Sequence, residues 1–211
     1  EDGEVLAALE LLADQGRARV LPALLLYHPS KPVVLRALAL LTDSGRVDWI
    51  PTADRLLESE DPDIRAAALR ALTTAQPDER LLRRASQDAS PLVRATALVG
   101  LIGSGADPED AWNVLQELAA SPSLATRVAL AEAIERQPAP DFERLLLELA
   151  DSRDERLAKH VARAMAKVRR PAFLAMLISW LSIREAREAA REALIEHGEE
   201  ALRALDEALF D

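Results

Sequence analysis

Three histidines are the residues of this chain best suited to proton transfer or metal ligation, and none stands at a spacing that either chemistry uses. His28 adjoins a turn, His160 falls inside a helical pattern, and His197 precedes Gly198 at an expected helix end, where a cation complements the dipole. Each reads as a structural or surface histidine. The carboxylate pairs Asp61/Asp63 and Glu199/Glu200 sit where turns and first helical turns place acids, and nothing marks them as a general acid and base. Gly103-Ser104-Gly105 lacks the following Gly-Lys-Ser/Thr of a phosphate cradle and follows a helix, so it reads as a helix stop. Trp49, Trp112 and Trp180 read as packing residues. No catalytic residue, metal ligand or cofactor is assigned.

Two features point to binding instead. From Arg153 to Arg170 seven cations, Arg153, Arg156, Lys159, Arg163, Lys167, Arg169 and Arg170, face only Asp154 and Glu155. Arg156, Lys159, Arg163 and Lys167 recur at helical spacing and form one stripe beside His160, suited to an acidic peptide, a phosphorylated ligand or an anionic lipid surface. The second feature is the segment from Ala172 to Ile183, which has no charged residue. Either the C-terminal helix covers it, or Phe173, Met176 and Trp180 form an exposed docking patch.

Composition bounds the scaffold that must carry these groups. Hydrophobic residues make up 49% of the chain and aromatics only 3%, so the apolar mass is leucine and alanine, which favour helix over strand. With 26 basic against 36 acidic residues the net charge is −10, which disfavours nucleic acid as a partner. There is no cysteine, so nothing requires an oxidising compartment, and a cytoplasmic location is expected. No apolar run reaches the roughly 20 residues that span a bilayer. The first residue is not methionine and the pattern opens directly into a helix, which fits a piece of a longer protein.

The elements that position these groups repeat. Ile64-Arg65-Ala66-Ala67-Ala68-Leu69 recurs as Val93-Arg94-Ala95-Thr96-Ala97-Leu98, and Arg36, Arg65 and Arg94 lie 29 residues apart. Arg127, Ala158 and Arg187 follow at steps of 33, 31 and 29, with the extra residues placed in the loop from Gly103 to Pro108. Such a period predicts helix pairs that bury their apolar faces by stacking. The second helices are expected to turn Leu35, Ala39 and Leu40, then Ile64, Ala68, Leu69 and Leu72, then Val93, Ala97, Leu98 and Leu101 to the core. The first helices contribute Leu24 and Tyr27, Ala53 and Leu56, Leu82 and Ala85, Leu115 and Leu118, Leu146 and Leu149. The expected fold is all-α, a single domain over 1–211, a right-handed α-solenoid of about six pairs. Flanking helices run from Val5 to Ala13 and from Glu199 to Phe210. Ala37, Leu41, Ala66, Arg70, Ala95, Val99, Lys159 and Arg163 are expected to line its concave side.

On the stretches Asp61 to Leu69 and Asp88 to Leu98 the chain resembles the HEAT repeat family, most closely the short variety named after phycobilisome lyases. The resemblance implies a ladder in which Arg36, Arg65, Arg94 and Arg127 pair with turn acids such as Asp88. Ser30, Ser59 and Ser121 stand where that acid would be. It implies a non-catalytic protein-binding or scaffolding module whose partner is a protein or peptide. A second resemblance, on Leu21 to Ser30 followed by Val33 to Leu38, is to the HEAT segment of large bacterial proteins with a nucleotide-translocase-like membrane module. It implies a regulatory, transporter-associated segment attached to a membrane module. The enzymes among HEAT-like proteins, of bilin lyase or DNA glycosylase type, are the remaining alternative.

Overall fold

The computed structural model describes residues 2–105, 108–152 and 154–210, with the side chains of residues 108, 209 and 210 left aside. The described residues are helical and include no strand. The fold is all-α. The chain divides into two compact units, residues 1–106 and 107–211.

In the first unit α1 (Asp2–Asp14) is followed by two short 3-10 segments, Ala18–Val20 and Ala23–Tyr27, and then by α2 (Lys31–Asp43). The pairs α3 (Ile50–Arg55) with α4 (Pro62–Ala75), and α5 (Glu79–Ala85) with α6 (Pro91–Ser104), complete it. Helix α2 packs on α4 and α4 on α6, so α4 is buried from two sides. The second unit comprises α7 (Pro108–Ala119), α8 (Leu124–Arg136), α9 (Glu143–Asp151) and α10 (Glu155–Val168), then α11 (Leu174–Trp180), α12 (Arg187–His197) and α13 (Glu199–Phe210). Here α8 packs on α10 and α10 on α12.

The starts of the second helices explain the periodicity. Ser30, Asp61, Ser90, Ser123 and Asp154 are the N-cap residues of α2, α4, α6, α8 and α10. Small polar residues fit this place because the first-turn N–H groups have no helical partner. The Asp61 carboxylate accepts from the Asp63 N–H at 2.8 Å and that of Asp154 from the Arg156 N–H at 3.1 Å. Two residues before the cap a second side chain closes the turn: the N–H groups of Ser30, Asp61, Ser90 and Ser123 donate to His28 Nδ1, Ser59 Oγ, Asp88 Oδ1 and Ser121 Oγ. One turn geometry is thus built by three residue types. Helix α6 ends on Gly105, whose φ of 71° is the left-handed conformation that glycine adopts without strain.

The cap carbonyls fix the register. Ser30, Asp61, Ser90, Ser123 and Asp154 accept from the N–H of Val34, Arg65, Arg94, Arg127 and Ala158; in α12 the N-cap is Ala186, whose carbonyl accepts from Ala190, so Arg187 falls three residues before the equivalent place. The residue equivalent to Arg65 in α2 is therefore Val34. Alignment on Arg36 is two residues out, a consequence of matching an arginine whose spacing of 29 is accidental. In the corrected register Val33, Ala37, Leu38 and Leu41 are at most 1% exposed, as Ala68 and Leu69 are, whereas Leu35 and Ala39 are half-buried. Leu24 and Tyr27 are also misplaced: they are exposed, while Leu21 and Leu26 are buried, because Ala23–Tyr27 is a 3-10 segment that the 3.6-residue period does not describe.

The arginine ladder is present in part and follows this register. Arg65 donates from Nε and Nη2 to Asp88 at 3.2 and 2.9 Å, and from Nη1 to the carbonyls of Ser59 and Glu60 at 2.7 and 3.1 Å. Arg127 reaches Asp154 at 3.3 Å. In α2 the role passes to Lys31, which pairs with Asp61 at 2.9 Å and with Asp63, while Arg36 turns to Glu10 on α1.

Candidate binding surface

Helix α10 separates its chemistry by face. Leu157, Ala158, Val161, Ala162, Ala164, Met165, Ala166 and Val168 are buried, and Arg156, Lys159, Arg163 and Lys167 are exposed. This is the division that a 3.6-residue period imposes on a helix packed from two sides. Arg153, at the start of the expected cationic segment, lies outside the described residues. Arg156 is engaged by Asp154, at 3.2 Å from Nε and 3.3 Å from Nη2, and Arg170 pairs with Glu143. Lys159, Arg163 and Lys167, at intervals of one helical turn, make no ion pair with another described residue.

The neighbouring helix brings acids to this face. His160 turns toward α8, with Nδ1 3.5 Å from Glu132 Oε1, and is half-buried beside the stripe. Burial pushes its imidazole below the usual value; Glu132 opposes that shift, and Lys159 and Arg163 add to it. Burial raises the Glu135 carboxyl, against the pull of Arg136, Arg163 and Lys167 and with the help of Glu132. The stripe is therefore a cationic row with a carboxylate border, and the border comes from residues some 28 positions earlier in the chain.

The two alternatives for the uncharged segment separate residue by residue. Phe173 is wholly buried and Trp180 is 5% exposed, its remaining surface lining a cleft, so the segment is not an open docking patch. Helix α11 packs on both α12 and α13. Met176 is half-buried and lies with Trp180 along a cleft between α9, α10 and α11. The expected concave lining is also corrected: Ala37, Leu41, Ala66, Ala95 and Val99 are at most 2% exposed, held between successive second helices. Arg70 is half-buried.

No family model matches the chain, and no curated protein matches it. Its chemistry rests on its own groups. Among the described residues no three metal-ligating side chains converge, and no helix is long and apolar enough to cross a membrane.

His197 is the group that sequence reasoning undervalued. It ends α12 at 9% exposure, and its Nε2 is buried with no hydrogen-bond partner among the described residues. Burial lowers its pKa; Glu200 on α13 opposes this and Arg169 reinforces it. The folded state holds the ring neutral to a lower pH than the unfolded chain, which takes up a proton near pH 6.5. Stability is full above that pH and falls below it, by at most about 1.4 kcal/mol per pH unit for one proton. His160 acts with the same sign and Glu135 with the opposite one. The urea midpoint is expected to drop between pH 7.5 and 5.5, and His197→Leu to flatten the drop. An identical slope in the variant would show that His197 is not held neutral.

Proposed function

We propose that the helix pairs are HEAT-like solenoid repeats, and that the chain is a non-catalytic protein-binding or scaffolding module receiving an acidic or phosphorylated peptide along α10. Support for the repeat reading comes from the capped helix starts and from second helices that pack on their neighbours within each unit. One observation carries the binding reading. Lys159, Arg163 and Lys167 are exposed along one helix face without ion pairs to described residues, in a chain whose net charge is −10. A protein of that charge repels anions at long range, so several cations converging at short range are what would capture one.

The test is Lys159→Glu with Arg163→Glu, both on exposed side chains. A phosphoserine-containing acidic peptide, followed by fluorescence anisotropy, is expected to bind the wild type and to lose at least about tenfold in affinity with the double reversal, while the melting temperature stays within about 2 °C. Wild-type affinity should fall several-fold between roughly 50 and 200 mM salt. Equal binding by both proteins, or none by the wild type at low salt, would remove α10 as the binding face.

A further inference from the structure

Two clefts, one in each unit, occupy the same place in the helix-pair pattern and are filled differently. The first, about 330 Å³, is lined by Glu58, Arg65, Leu81, Arg84, Ala85 and Asp88, among others. The second, about 400 Å³, is lined at the corresponding places by Asp151, Ala158, Met176, Ser179, Trp180 and Ile183. The correspondence is positional: Glu58 and Arg65 are each 93 residues before their counterparts, and the other four are each 95 before theirs. The cap register matches Arg65 with Ala158 independently, since both donate their N–H to the carbonyl of an N-cap aspartate.

In the first cleft the chain supplies its own guanidinium. Arg65 satisfies two turn carbonyls and the Asp88 carboxylate together. In the second, Ala158 is too short to reach its turn, and Ile183 stands where Asp88 stands in the first. What remains is a floor of Ala158, Met176 and Trp180 beneath Asp151 and Glu155. Those two carboxylates are exposed and make no ion pair with a described residue. Asp154, also at the cleft, is already engaged by Arg127 and Arg156.

The geometry points to this second cleft as a receptor for an arginine side chain from a partner protein, which would take the place that Arg65 fills from within the chain in the first. The stem of arginine is apolar and suits a floor of methionine and tryptophan, and its planar fork suits carboxylates at the rim. A lysine ammonium is a point charge with a larger hydration cost and matches that rim less well. The net charge of −10 favours approach of a cationic segment. This site is distinct from the exposed row of α10: it lies at the start of that helix and takes the opposite charge.

The experiment is a nitrogen-15 NMR titration with N-acetyl-arginine amide, observing the Trp180 indole N–H, with the indoles of Trp49 and Trp112 as internal controls. A saturable shift confined to Trp180 is expected, at least about fivefold weaker with N-acetyl-lysine amide. Ala158→Arg fills the cleft from within and is expected to abolish the shift. Asp151→Asn with Glu155→Gln, on exposed side chains, is expected to weaken binding by about tenfold, and it decides the matter if Ala158→Arg does not fold. No saturable shift in the wild type up to about 50 mM, or equal affinity in the neutralised double variant, would overturn the assignment.

Discussion

Replacing Leu69 with alanine is expected to lower the free energy of unfolding by about 2–5 kcal/mol, the range for removing a fully buried leucine from a core that relaxes only in part. Leu69 is 0% exposed on α4, which α2 and α6 grip from opposite sides. Neither neighbour can close the void without giving up its own packing, which places the loss toward the upper part of that range. Urea unfolding of the variant measures it, with Leu24→Ala as the control. Leu24 is 75% exposed, and its truncation should stay within about 0.5 kcal/mol. A loss below about 1 kcal/mol for Leu69→Ala would mean that α4 is not held between its neighbours.

Arg65→Ala is expected to lower stability by roughly 2–3 kcal/mol, although the change removes no core leucine. The guanidinium ties two turn carbonyls to a carboxylate contributed by the next turn, and the ion pair is only 18% and 21% exposed at its two side chains. Its loss leaves those acceptors short of donors in a place that water reaches incompletely. Arg65→Lys should recover less than half, because one ammonium cannot span three acceptors as the fork does. The pair also has an acid signature. Burial raises the Asp88 pKa, but Arg65, the Ser90 N–H and the charge of Arg94 together bring it below the usual value. That contribution is present above about pH 3.8 and is lost as the pH falls further. Arg65→Ala should therefore reduce the acid dependence in that window. A change under about 0.5 kcal/mol in stability would show that the ladder contributes nothing measurable.

The all-α class was legible from leucine and alanine content and from the period of the phrase around Arg65. Its register was legible wherever the cap and the arginine kept the same separation, at Arg65, Arg94 and Arg127. It failed at α2, where an arginine lies two residues beyond the equivalent place and a residue match outweighed the backbone. The α10 stripe was legible because helical spacing alone sorts Arg156, Lys159, Arg163 and Lys167 to one face. Its acidic border was not, because Glu132 and Glu135 reach it through helix packing rather than through sequence proximity. Nor was the cleft at Ala158, which depends on what α9, α11 and the turn at Ile183 place against that residue. The trace of that cleft in the sequence is alanine where α4, α6 and α8 carry arginine.

Alanine also governs how this architecture can vary. In α4, Ala66, Ala67, Ala68 and Ala71 are all at most 4% exposed, and in α10, which packs on α8 and α12, Ala162, Ala164 and Ala166 are buried. A methyl group sets a short distance between backbones, and no smaller side chain except hydrogen exists to shorten it. Substitution at these positions can only push neighbouring helices apart or, as glycine, loosen the helix itself. The thickness of each layer is thereby frozen while its connecting turns, with caps 29 to 33 residues apart from Asp61 to Ala186, absorb insertions. Sequence drift in such a chain is confined to its edges: it can lengthen a turn or exchange a surface charge, but it cannot thicken a layer.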